Sequence, residues 1–334
     1  MRDILEDLRR WLATDQSIAL ATVVHAQGSS PRPLGSRLAV TASGHMVGSV
    51  SGGCVEGDVF RVAQDVLISG EPIGLQYGAV DEGGWEVGLA CGGVIGVFVE
   101  PFQEIHRCLV KALEGDETVA FATRLDGQGH TLAWPDGRVH GDPALKSELM
   151  ELLPGPAAEL RRSSQGDVFL ELFTQPPTLT VVGAVHIAVP LVALARILGF
   201  HVRLVDARRA FATRDRFPEV DELIVAWPED ALTSRYLRPC DAVVVLTHDP
   251  KFDIPALKLA LESPVGYIGL LGSRSTQAKR RDTLKERGFT SKELDRIHGP
   301  VGLDLGGRRP AEIALSILAQ IVAEANRHGL TETT

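Results

Sequence analysis

The chain has 334 residues, 44% of them hydrophobic and 23% charged, with acids in excess for a formal net charge of −9. That length is more than one core ordinarily organises, so two domains are expected. The acidic balance argues against a nucleic-acid-binding surface, which needs a concentrated Lys/Arg face, and Lys279-Arg280-Arg281 reads as a solvated helix face.

The first segment, MRDILEDLRRWLATD, places Ile4, Leu5, Leu8, Trp11 and Leu12 on one helical stripe, with its acids ahead of its arginines. It reads as an amphipathic helix and not as a secretion signal. No apolar run approaches the roughly 20 residues of a membrane span. Cys54, Cys91, Cys108 and Cys240 contain no Cys-x-x-Cys pair. Neither a structural zinc site nor a disulfide framework is therefore expected, and the chain reads as soluble and cytoplasmic.

From Ser17 to Glu100 the texture is strands, turns and glycines. SIALATVV (17–24) reads as a buried strand, RLAVTASGHMVGSV (37–50) as a hairpin and GVIGVFVE (93–100) as a further strand. Between them, 55–67 has helical spacing and stops at Gly70. Short helices at 104–114 and 144–153 flank the strand-like TVAFATRL (118–125). This is an α+β domain over 1–160, with no internal repeat or low-complexity tract evident. A polar stretch ending in Pro176-Pro177 gives a linker at 161–177.

Beyond it, apolar runs at 179–182, 201–205, 223–225, 242–246 and 265–270 alternate with helical patterns up to a long helix at 310–328. The fold class is α/β, a Rossmann-like doubly wound parallel sheet over 178–334 following the α+β domain. LTVVGAVHIAVP has the strand, the glycine (Gly183) and the helix onset of a dinucleotide turn, and Asp206 lies where an acid accepts from a ribose. Val185, however, stands where the second glycine admits a pyrophosphate, which weakens an NAD(P) reading. Two further strand-end loops, Thr247-His248-Asp249 and Gly272-Ser273-Arg274, offer hydroxyls, amides and a guanidinium suited to phosphate.

The first domain holds two Gly-Gly–Cys turns. Cys54 follows Gly52-Gly53 at a helix start, and Cys91 precedes Gly92-Gly93. Gly28, Ser29, Ser30, Arg32 and Arg37 add hydroxyls and guanidinium groups, and Glu56 is a nearby acid or base. Together these describe an anion pocket beside a soft ligand. Whether either cysteine is a nucleophile, a metal ligand or a small buried hydrophobe stays open, since neither His25 nor His45 is singled out as a partner base. Cys108 and Cys240 read as core.

GSSPRPLGSRLAV, GSVSGGCVEGDV and GLACGGVIGVFVEP resemble, in order, the N-terminal domain of the XdhC/CoxI family. VVGAVHIAVPL, VDARRAFATRDRFP, VVLTHDPKFD, YIGLLGSRSTQAKR and PVGLDLGGRRPAEIALSILAQIVAE resemble its Rossmann domain. These are xanthine dehydrogenase accessory factors, also linked to maturation of carbon monoxide dehydrogenase. The resemblance implies a chaperone that is not itself a catalyst. It binds molybdenum cofactor, protects it during sulfuration and delivers it to a molybdenum hydroxylase. A cysteine desulfurase is a further partner, and a homodimer is expected. By similarity Cys54 and Cys91 lie nearest the molybdenum or its sulfur. His186 is retained from the family's GxGH motif, in which Val185 replaces glycine. The competing expectation is an NAD(P)-dependent oxidoreductase.

Overall fold

The computed structural model describes residues 1–78, 92–152, 158–161, 166–232 and 237–327. It divides between Gln175 and Pro176 into two compact units.

The first unit begins with helix α1 (Leu5–Ala13), whose stripe buries Leu8 and Trp11. Strands β1 (Ile18–Gln27), β2 (Arg37–Thr41) and β3 (Met46–Gly48) precede α2 (Glu56–Ser69), which ends at Gly70 in the left-handed region. β4 (Ile73–Tyr77) and β5 (Val94–Pro101) complete an antiparallel sheet of order β3-β2-β1-β5-β4.

The pattern then repeats. Helix α3 (Glu104–Glu114) leads into β6 (Val119–Arg124), β7 (His130–Ala133) and β8 (Val139–Gly141). Helix α4 (Lys146–Leu152) precedes β9 (Ala158–Arg161) and β10 (Val168–Phe173), in a sheet of order β8-β7-β6-β10-β9. The two orders are the same when five is added to each strand number. Ladder registers agree as well. Leu20 faces Glu100 and Thr22 faces Arg37, as Phe121 faces Glu171 and Thr123 faces His130.

The first unit is thus an internal duplication, contrary to the expectation of no repeat. Its trace in sequence is short: SIALAT beside TVAFAT, and GVFVEPF beside DVFLELF. Asp15 and Asp116, at matching turns after α1 and α3, share a left-handed backbone (φ 52° and 50°). Gly48 and Gly141 also match, for a Cβ on either would strike the carbonyl of Arg37 or His130 respectively.

Stretch 161–177 is not a linker. It contains β10, whose six residues are all buried between β6 and β9. A nearly continuous apolar run, broken only by Glu171, places it in the sheet as a strand buried on both faces, and the polar residues on either side hid it. Helices α1 and α3 pack with Leu20, Phe121, Leu132 and Phe173 in a core shared by both copies. Helix α2 covers the first sheet with Val59, Val62 and Val66, and α4 covers the second with Leu149 and Leu152.

In the second unit, β11 (Thr178–Val182), β12 (His201–Val205), β13 (Glu222–Ile224), β14 (Ala242–Val245), β15 (Tyr267–Leu270) and β16 (Ile297–His298) form a parallel sheet. Its order, β13-β12-β11-β14-β15-β16, is that of a doubly wound Rossmann fold. Helix α5 (Ala188–Ile197) covers one face, while α6 (Pro228–Ala231), α7 (Pro250–Leu261), α8 (Arg274–Glu286) and α9 (Ser291–Leu294) lie on the other. Helix α10 (Pro310–Arg327) packs beside α5 through Ile317, Leu318 and Ile321. No helix among the described residues is long and apolar enough to cross a membrane.

Candidate functional site

The two copies of the first unit share their sheets and differ in their loops. Residues 23–36 separate Thr22 from Arg37 in the first copy, where 124–129 suffice in the second. Residues 49–99 run from Gly48 to Glu100, against 142–170 from Gly141 to Glu171. The extra length holds GSSPRP, SVSGGC and the segment leading to Gly92-Gly93. Because β1 and β3 run the same way and β5 runs against them, these insertions all leave from one sheet edge. Tyr77 at the end of β4 donates from its hydroxyl to Asp58 Oδ2 (2.8 Å), tying the first turn of α2 to that edge.

Within the SVSGGC insertion, Gly52 and Gly53 take φ of 74° and 116°, which side chains resist. The turn is organised by Glu56. Its Oε1 accepts from Ser49 Oγ (2.6 Å), Val50 N (3.2 Å) and Ser51 N (2.8 Å), and its Oε2 from Ser51 Oγ (2.5 Å) and Gly53 N (2.8 Å). Burial pushes the Glu56 carboxyl up, but these donors outweigh it and hold it at about 2. It is therefore neither a general acid nor a free base near neutrality. The loop amides expected to meet a ligand anion point at this carboxylate instead. Cys54 is exposed and free, between anchored neighbours.

The GSSPRP insertion and the following glycines pack on each other. Gly93 passes so close to Ser29 that a Cβ there would lie 2.5 Å from the Ser29 carbonyl, and Gly28 adjoins Gly93. Ser29 and Gly92 are exposed, whereas Ser30 donates to the Arg32 carbonyl (2.7 Å). Arg32 is half-buried, with Asp3 3.7 Å from its guanidinium. Cys91 lies outside the described residues.

Arg37 does not belong to the pocket. Its side chain is 2% exposed, its Nη2 is 2.5 Å from Glu171 Oε2, and its Nη1 donates to the Gly35 carbonyl (3.0 Å). The inward register of β2 sends it into the core, which the loop motif alone did not reveal. The equivalent His130 turns inward too, 2.6 Å from Glu100 Oε2, with His106 Nε2 3.4 Å from Oε1. Burial raises the Glu100 carboxyl, but both histidines bring it down to about 2. Glu100, His106 and His130 have the residue types of a metal site. The Gln103 amide, however, donates to His106 Nδ1 (3.0 Å), which puts the ring proton on Nε2, facing Glu100. A protonated Nε2 has no lone pair for a metal, so the trio is a buried charge cluster.

In the second unit the predicted residues cluster at the carboxyl ends of the strands. Gly183 is required for close packing, since a Cβ there would lie 2.6 Å from Thr247 Cγ2. Asp206 is fully buried and both its oxygens are taken. Oδ2 accepts from Ala184 N (2.8 Å) and Arg208 Nη2 (2.7 Å), and Oδ1 from Arg208 N and Nε (both 2.9 Å). It is not open to a ribose as expected. Arg208 lies over the rings of Phe211 and Phe252, 4.4 and 5.4 Å from their centroids. Thr247 donates inward to Asp253, which also pairs with Arg280. Asp249 and Ser273 cap α7 and α8, accepting from Lys251 N (2.9 Å) and Thr276 N (3.3 Å). Gly272 adjoins Arg280 and Thr276, where a Cβ would meet Arg280 Nη1 at 3.0 Å. His186, His248 and Arg274 are exposed at this edge. Cys108 and Cys240 are half-buried, not sealed in the core.

Sequence reasoning missed the Arg208 fork and the Glu100 and Glu171 partners. The GVFVEPF and DVFLELF repeat was the available signal for the two glutamates.

Comparison with known proteins matches residues 11–78 to the XdhC and CoxI family and residues 179–321 to the XdhC Rossmann domain. A Bacillus subtilis relative, named as a probable component of xanthine dehydrogenase, is 30% identical over 95% of this chain and 96% of its own. The molybdenum cofactor insertion chaperone PaoD of Escherichia coli is 26% identical over 96% of this chain and 88% of its own. A crystal structure described as a xanthine dehydrogenase from Bacillus halodurans superposes with a TM-score of 0.79 at 28% identity, covering 97% of this chain and 96% of that one.

Proposed function

The chain belongs to the XdhC and CoxI family, and from that membership we propose that it is an accessory protein in the maturation of a molybdenum hydroxylase. It binds molybdenum cofactor, shelters it while a terminal sulfur is installed, and passes it to an enzyme of xanthine or carbon monoxide dehydrogenase type. A relative named for cofactor insertion supports this reading across nearly the whole chain. The observation that carries it is the confinement of three Gly-rich insertions, one bearing exposed Cys54, to a single edge of the first copy. Molybdopterin presents a phosphate, a flat polar ring and a soft metal held by sulfur. A free thiol suits the metal, and Ser29 with Arg32 suits the polar groups.

The oxidoreductase reading has weaker support. It needs a pyrophosphate turn and a ribose acceptor, and the chain offers Val185 and an Asp206 saturated by its own donors.

The test is anaerobic incubation with molybdenum cofactor, then metal and pterin quantification on the wild type, Cys54→Ala and Cys91→Ala. Retention by the wild type with loss in Cys54→Ala is expected. A wild type that holds neither molybdenum nor pterin refutes the chaperone, and full retention by Cys54→Ala removes that thiol from the site.

A further inference from the structure

We propose that Glu56 is the positioning residue for Cys54, and that its carboxylate fills the amide-lined hollow of the SVSGGC turn in place of a ligand's anion. The role given to Cys54 rests on the reading above; the filled hollow does not.

A carboxylate offers about four lone-pair sites. Glu56 receives five donors, from Ser49, Val50, Ser51 twice and Gly53. Nothing is left over for a cation or a ligand proton. The two hydroxyls carry the order further: Ser49 Oγ accepts from Gly52 N (2.8 Å) and Ser51 Oγ from Val55 N (3.0 Å). Both peptide neighbours of Cys54 are thereby fixed, Gly53 through Glu56 and Val55 through Ser51. The thiol between them is exposed on a backbone hydrogen-bonded on either side.

Neither Gly52 nor Gly53 would meet another atom within 4 Å through a Cβ, so glycine is demanded by the backbone angles of this turn and not by crowding. The second copy shows what the scaffold does without the insertion. There Asp142, at the place of Ser49, caps the next helical segment directly by accepting from Ala144 N (2.9 Å), and the chain needs no remote carboxylate. In the first copy α2 has no side-chain cap, and Glu56, its first residue, instead ties down the longer turn before it, which carries the cysteine. Because the hollow is filled from within, a phosphorylated cargo places its anionic group elsewhere on this edge.

The experiment uses the full chain without cargo. Amide hydrogen exchange of 49–55 and iodoacetamide alkylation of Cys54 are measured for the wild type, Glu56→Gln, Glu56→Ala and Glu56→Asp, with thermal melts establishing that each folds. Loss of a hydrogen bond to a charged acceptor predicts at least about tenfold faster exchange at Ser51 and Gly53 in the Gln and Ala variants. Cys54 alkylation changes with it while Cys108 and Cys240 keep their rates, and Glu56→Asp falls between. With the carboxyl at about 2, wild-type protection of Ser51 and Gly53 persists from neutral pH down to about 4. Inorganic phosphate protects these amides in Glu56→Ala and not in the wild type. Wild-type exchange and alkylation in both Gln and Ala variants overturn the proposal, as does protection of the wild type by phosphate. None of these readings requires molybdenum. Failure of cofactor retention alone sinks the chaperone and leaves the filled hollow standing.

Discussion

Arg37 and Glu171 join the two copies of the first unit by a buried ion pair, 2.5 Å between Nη2 and Oε2. Arg37 opens β2 of the first copy and Glu171 lies in β10 of the second. His130 and Glu100 repeat the relation with the copies exchanged, since His130 opens β7 and Glu100 lies in β5. Such reciprocity is what an approximate two-fold relation between duplicated halves produces. Removing one partner strands the other. Arg37→Met should cost about 3–5 kcal/mol, while the double change Arg37→Met with Glu171→Leu should recover most of it. Denaturant midpoints of the two single variants and the double decide the matter; additive losses would contradict it.

The His106–Glu100 cluster makes the first unit acid-sensitive in two stages. Burial lowers the His106 pKa below its ordinary 6.5, so the folded state binds that proton less readily than the unfolded chain. Its contribution is complete above about 6.5 and erodes as pH falls. Glu100, held at about 2 against 4.5, contributes above about 4.5 and loses that contribution as pH falls towards 2. Melting temperature should therefore begin to fall below pH 6.5 and fall further below 4.5. His106→Gln should remove the first stage and shrink the second, because His106 is one of the two histidines that hold Glu100 down, as thermal scans across pH would show.

The GSSPRP turn of the first copy should be dispensable for folding. Replacing only the GSSPRP turn, residues 28–33 beyond the end of β1, by a Gly-Ser linker of the same length leaves the strand and its core residues in place, a change of at most about 1 kcal/mol in closure entropy. Circular dichroism should remain native, whereas retention of molybdenum cofactor should drop at least about tenfold. Equal retention would place the cargo elsewhere.

Calorimetry with NAD should give no binding heat for the wild type, nor for Val185→Gly, because Asp206 is saturated by Ala184 and Arg208 whatever the turn holds. Binding restored by Val185→Gly alone would show that the valine is the sole obstacle. Binding only when Arg208→Ala is added would locate the block at the Asp206 fork.

Periodicity carried most of the secondary structure. SIALATVV, the 55–67 helix and the five β-branched runs of the second unit appear within a few residues of their expected bounds. Each element's spacing is set by which face it buries, and that is a local property. Pairing is not local. Nothing in the loop motif says that Arg37 faces inward, because β2 acquires its register only against β1. The role of Glu56 is hidden for a related reason. One residue's reach to five donors depends on a backbone turn that glycine permits and sequence does not draw. The duplication is faint because unequal insertions shift its offset twice along the chain.

If the long insertions of the first copy hold the cargo, a duplicated frame that carries them on one copy sets a ceiling on loading. Each polypeptide should saturate at a single equivalent of cargo, and any larger assembly should carry as many as it has chains. The shorter connections of the later half also supply a matched reference within the same molecule, against which every gain made by the ornamented half can be weighed.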